Sequence, residues 1–119
     1  MNSYSEHEDR FERSLFIKDE EVTVSIDKPI TENFLSQLDN LIEREIANLL
    51  SKSISFIQSS KADREIEYID DLSDPQIMAG SELISVYWYS EKGESKGSST
   101  IGVDFNLDSL EIIELTIGD

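Results

Sequence analysis

In 119 positions the chain has no cysteine, one histidine, two prolines, five glycines and only 10 basic residues against 26 acidic ones. Without cysteine there is no disulfide, no thiolate nucleophile and no Cys-based zinc or iron–sulfur site. A single imidazole, His7, cannot build a histidine-rich metal cage, and it is the one base available to any Ser-His-Asp triad. No apolar run approaches the roughly 20 residues of a membrane-spanning helix, and no basic-then-apolar leader opens the chain. A soluble, cytoplasmic, single domain over residues 1–119 is expected, with residues 1–10 as a loose polar terminus. Its length suits one core that closes without staples.

The formal net charge is −16. Such a charge repels phosphate backbones and the anionic membrane surface alike, which argues against nucleic-acid and membrane partners. Its natural complement is a positively charged protein, whose opposite field steers encounter. Solubility alone asks for a net charge of only about 2–8 in a small domain. The stretches 1–21, 22–60, 61–80 and 81–119 are each net negative, so the acidity belongs to folded segments and not to a disordered tail.

Along the chain, Leu15-Phe16-Ile17 and Val22-Thr23-Val24-Ser25-Ile26 predict a β-hairpin over 14–26, with Val22, Val24 and Ile26 on one face. The turn lacks the usual Asn-Gly or Asp-Gly pair, and one long strand bent at Asp19 is the competing reading. Pro29-Ile30-Thr31-Glu32 announces a helix: Thr31 caps, Glu32 suits the positive end, and Ile30 can staple against Leu35. Phe34, Leu35, Leu38, Leu41, Ile42, Ile46, Leu49 and Leu50 then recur at three- and four-residue steps. The pattern extends through Ile54 and Ile57, although Ser51, Ser53 and Ser55 weaken its last part.

Residues 59–80 read as a second, short helix with Ile66, Ile69 and Leu72 on one face, broken at Asp74-Pro75. A strand at 65–69 is the alternative. The last forty residues form a meander of strands at 83–89, 100–105 and 110–117. In the first, Ile84, Val86 and Trp88 oppose Leu83, Ser85, Tyr87 and Tyr89. In the second, Ile101, Val103 and Phe105 share a face, and in the third Ile113, Leu115 and Ile117 do. The fold class is α+β: an antiparallel sheet with N-terminal strands, one long amphipathic helix and a C-terminal three-strand meander.

No catalytic residue, metal ligand or cofactor site is expected. His7-Glu8-Asp9 sits in a polar terminus without fixed geometry. Asp70-Asp71-Leu72-Ser73-Asp74 lacks the alternating oxygens and central glycine of a calcium loop. Gly93 and Gly97 match no phosphate-binding loop. An enzyme working through a carboxylate pair would need two acids converging in a pocket, which no spacing here reveals.

The helix at 31–50 and the closing runs Leu83-Ile84-Ser85-Val86-Tyr87-Trp88-Tyr89, Ile101-Gly102-Val103-Asp104-Phe105 and 110–118 together resemble, in general pattern, the immunity proteins of bacterial toxin–immunity systems, including those of contact-dependent growth inhibition. The resemblance implies a non-enzymatic cytoplasmic protein that binds a cognate toxin domain, often a nuclease, and blocks its active site or the path of its substrate. A nuclease is basic where it grips phosphate, so an acidic inhibitor can occupy the same field. The expected contact residues are Glu65, Glu67, Asp70, Asp71 and Asp74, with Tyr87, Tyr89, Glu91 and Glu94 as a second patch. The alternative is an acidic secretion chaperone or adaptor that holds an exported effector. That class commonly opens and closes with helices and dimerises.

Overall fold

Val22, Val24 and Ile26 are fully buried, while Glu21, Thr23, Ser25 and Asp27 between and beside them are not. That alternation is the mark of a strand with one face on the core, and the computed structural model, which describes residues 4–59, 72–91 and 100–118, places them in β3 (Glu20–Asp27). It pairs antiparallel with β2 (Arg10–Ile17) across Lys18 and Asp19. Both turn residues have positive φ, 51° and 71°, the geometry whose twist matches a tight hairpin even though neither is glycine. The hairpin is therefore formed, starting at Arg10 and not at 14, and the single bent strand is not. A two-residue β1 (Ser5–Glu6) pairs with Glu12 and Phe11 of β2, so part of the opening expected to be loose is held in the sheet.

Helix α1 (Glu32–Ser59) begins where the capping signal lies. The Phe34 amide donates to Thr31 Oγ1 at 3.1 Å, satisfying one of the free N-terminal donors. Leu35, Leu38, Ile42, Ile46, Leu49, Leu50 and Ile57 are buried on one stripe. Burying each such side chain stabilises by about 1.5–3 kcal/mol, against a few tenths lost to each serine's helix propensity. Packing wins, and the helix runs straight through Ser51, Ser53 and Ser55.

The expected second helix fails from Leu72 onward, and its residues 60–71 lie outside the described residues. Leu72 and the Asp74-Pro75 pair belong to a strand, β4 (Leu72–Ala79). Pro75, Ile77 and Ala79 are buried while Asp74, Gln76 and Met78 are exposed, a period of two that the helical spacing of Ile66, Ile69 and Leu72 obscured. Proline is tolerated because the pairing with the next strand breaks register between Ser73 and Gln76. A β-bulge there removes the need for the ring nitrogen to donate. The alternative strand at 65–69 lies outside the described residues.

The meander is β5 (Leu83–Ser90), β6 (Thr100–Asn106) and β7 (Ile112–Gly118). The faces of β5 and β6 are as the sequence predicts: Ile84, Val86, Trp88, Ile101, Val103 and Phe105 are all buried in the core. Between β6 and β7, the Asn106 side-chain oxygen accepts from the amides of Asp108 and Ser109, and Leu110 turns the chain at φ 58°. In β7 the alignment of Ile113 with Leu115 and Ile117 is not realised. Glu114 pairs with Asp104 but Ile112 with Phe105, which leaves Ile113 in a bulge and 52% exposed.

The strands lie in one sheet in sequence order, β1 to β7. Every neighbouring pair is antiparallel except β3 and β4, which run parallel on either side of the helix in sequence. A parallel neighbour needs a crossover, and α1 supplies it. The helix thereby covers one face of the sheet. Among the described residues no helix is long and apolar enough to cross a membrane.

Candidate functional site

Alternation that sends one set of side chains under α1 sends the other set to the opposite face, which no described element covers. Register fixes its membership. Thr23 and Ser25 stand beside Gln76 and Met78. Those two stand beside Tyr87 and Ser85, which in turn face Gly102 and Asp104. Thr116 and Glu114 complete the rows.

The centre is aromatic and apolar. Tyr87 lies over Gly102, where an added Cβ would come within 2.5 Å of Tyr87 Cδ1, 2.9 Å of Cε1 and 3.1 Å of Thr116 Oγ1. Glycine at this position is what lets the ring lie across β6 toward β7. Tyr87, Tyr89, Met78, Gln76, Thr100 and Asp74 line a cavity of about 270 Å³. Met78 and Leu83, both near 40% exposed, extend the apolar surface into a neighbouring depression of about 330 Å³ that also touches Asp27 and Glu82.

Carboxylates frame this centre. Asp74 occupies the β4 bulge at φ 49°, a left-handed conformation that costs a non-glycine residue of order 1 kcal/mol. At the hairpin end a further depression, about 600 Å³, is lined by Asp19, Glu20, Glu21 and Asp74, with Lys18 beside them. Asp104, 8% exposed, accepts a 2.6 Å hydrogen bond from the Ser85 hydroxyl across the strands. The cation on the same face of β2, Arg10, is committed to Asp9 and Glu12 at 3.0 and 3.2 Å.

A second polar cluster lies on the helix side and serves a different purpose. Arg13 Nη1 donates to Asp39 Oδ1 at 2.9 Å and to Glu43 Oε1 at 3.1 Å. The Arg13 guanidinium also sits 5.4 Å from the centre of the Tyr4 ring. The Tyr4 hydroxyl is buried without a hydrogen-bond partner. Burial first, and the adjacent Asp39 second, push its pKa well above the usual tyrosine value. With no nucleophile or free base in it, the cluster acts as a tether between the chain's opening and α1.

Of the residues expected to meet a partner, Asp74, Tyr87 and Tyr89 come together around one cavity, although the sequence assigned Asp74 to a separate patch. Glu91 is exposed just past β5. Glu65, Glu67, Asp70, Asp71 and Glu94 lie outside the described residues. Missed were Glu21, Asp27, Gln76, Met78, Asp104 and Glu114. For Glu21, Asp27, Asp104 and Glu114 the signal is the polar half of an alternation whose apolar half the sequence shows, whereas Gln76 and Met78 lie in β4, which the sequence reads as helical. His7 is exposed between β1 and β2. Chemically, the open face offers fixed carboxylates and immobilised aromatic surface, which suits binding a cationic macromolecule.

No protein-family model matches the chain, nor does any curated protein sequence or solved structure.

Proposed function

We propose that this protein is an acidic binding module that neutralises a basic protein domain, acting in the cytoplasm as the immunity partner of a nuclease-like toxin. The observation that carries the reading is the sheet face that no described element covers, with Tyr87, Tyr89 and Met78 at its centre and Glu21, Asp27, Asp74 and Glu114 around them. Aromatic anchors inside a polar rim are the usual anatomy of a protein interface. Size supports it as well. Seven strands at about 4.8 Å spacing and about 3.3 Å per residue give a face of roughly 30 by 24 Å, close to the roughly 800 Å² that each partner buries in a standard interface. An inhibitor presenting carboxylates there competes with nucleic acid for the same cationic groove on the toxin.

The test begins with recovery of the tagged protein from its native cells at low salt and identification of what co-purifies. Association of the purified pair is then followed by stopped flow for wild type, for a Glu21→Lys/Asp27→Lys/Glu114→Lys variant and for Tyr87→Ala. Charge reversal is expected to slow association and flatten its salt dependence. Tyr87→Ala is expected to act mainly on dissociation. An unchanged on-rate at low salt for the reversal variant would remove this face from the interface, and recovery of an exported effector in place of a toxin would replace the inhibitor reading with the chaperone one.

A further inference from the structure

Strand β7 is the last in the sheet, and among the described residues its one neighbour is β6. Its outer row of amide and carbonyl groups is therefore a template for another strand. Proteins usually blunt such an edge with lysine, proline or brevity. The opposite edge follows that practice, since its last strand, β1, has only two residues. Strand β7 does not: Ile-Ile-Glu-Leu-Thr-Ile-Gly contains neither lysine nor proline, and Ile113 and Ile117 are 52% and 39% exposed. Alongside it, between the last turns of α1 and the start of the strand, runs a groove of about 640 Å³ whose apolar floor is Phe56, Leu110 and Ile112, with Lys52, Glu111 and serines of α1 at its margin.

We propose that this edge accepts an extended segment of a partner protein in which basic and apolar residues alternate. Pairing along β7 sends alternate side chains of the incoming segment to the two faces of the sheet. On the helix side they meet the groove and its apolar lining. On the open side they meet Glu114, whose cross-strand neighbour is Asp104. Residues 101–118 contain four carboxylates and no lysine or arginine, so a cationic segment is the complement and a second copy of this chain, itself at −16, is repelled. The inference goes beyond the open-face reading; it shares Glu114 with that face, and pairing through the β7 backbone groups, which the face does not use, separates the two.

The probe is a synthetic peptide of alternating arginine and valine, about nine residues long so that it spans the strand. Its control has the same sequence with alternate backbone nitrogens methylated, which preserves charge and side chains but removes the pairing edge. Amide hydrogen exchange of the full chain, followed residue by residue, is expected to slow by about tenfold or more at alternate β7 positions with the first peptide and not with the second. Glu114→Arg, an exposed change that circular dichroism will show to leave the fold intact, is expected to weaken the first peptide several-fold. Light scattering without peptide is expected to show a monomer. Equal effects of the two peptides, or exchange protection confined to other strands, would overturn the proposal. So would a dimer whose β7 amides are already protected, which would mean that the edge serves self-association.

Discussion

The indole N–H of Trp88 donates to Ser53 Oγ at 3.2 Å in the buried interior, and Ser53 in turn donates to the Leu50 carbonyl at 2.9 Å. A serine that looks like a flaw in the helix is thus the partner that allows a tryptophan to be buried. Removing the hydroxyl leaves the indole N–H without an acceptor, a loss of about 1–3 kcal/mol. Ser53→Ala should therefore lower the denaturation midpoint and alter Trp88 emission. Combined with Trp88→Phe it should cost less than the sum of the two single changes. Strict additivity would show that the bond contributes nothing.

A methyl group at residue 102 would collide with the Tyr87 ring. Gly102→Ala is expected to destabilise by about 1–3 kcal/mol through overpacking. In a Tyr87→Ala background the same change should be neutral or mildly stabilising, because glycine is otherwise a weak strand residue. A double-mutant cycle measured by chemical denaturation checks this. If Gly102→Ala costs the same in both backgrounds, the ring does not rest on residue 102.

The Lys18-Asp19 turn places two non-glycine residues at positive φ. Replacing them with Asn and Gly, the pair that this turn favours, should stabilise the hairpin by roughly 0.5–1 kcal/mol. Thermal unfolding of the double variant is the measurement. A lower midpoint would mean that the side chains of Lys18 and Asp19 matter more than the backbone strain.

Tyr4 carries a pH prediction. Burial and Asp39 raise its folded-state pKa above the value of about 10 that it takes when unfolded. Above that pH the unfolded chain ionises this tyrosine while the folded chain holds its proton, so unfolding is favoured. The stability associated with the protonated hydroxyl is intact below pH about 10 and is lost as pH climbs toward the folded value. Denaturant midpoints of wild type should fall more steeply in that window than those of Tyr4→Phe, other titrating groups being common to both. Parallel curves would show that Tyr4 ionises freely in the fold.

The parts of the fold that the sequence made legible are those carried by one segment's own period. Val22, Val24 and Ile26 alternate. Leu35 to Leu50 recurs at helical steps behind a capping Thr31. Trp88 parts from Tyr87 and Tyr89 because successive side chains of a strand leave by opposite faces. The misreadings in β4 and β7 both fall at a bulge. In β4 a bulge absorbs Asp74-Pro75, and in β7 another bulge turns Ile113 outward. A bulge shifts the count by one residue while leaving the composition unchanged.

By itself the sequence determined a long amphipathic helix, a hairpin, a meander and a strongly acidic surface, because local periodicity and net charge do not depend on what lies across the sheet. Only the tertiary structure decided that β4 lies between β3 and β5, which carries Asp74 to Tyr87 and Tyr89. It alone set Tyr87 over Gly102 and, among the described residues, left β7 with β6 as its one neighbour. Strand order and register arise from pairing between distant segments, and neither partner's pattern specifies which residue of the other it will face.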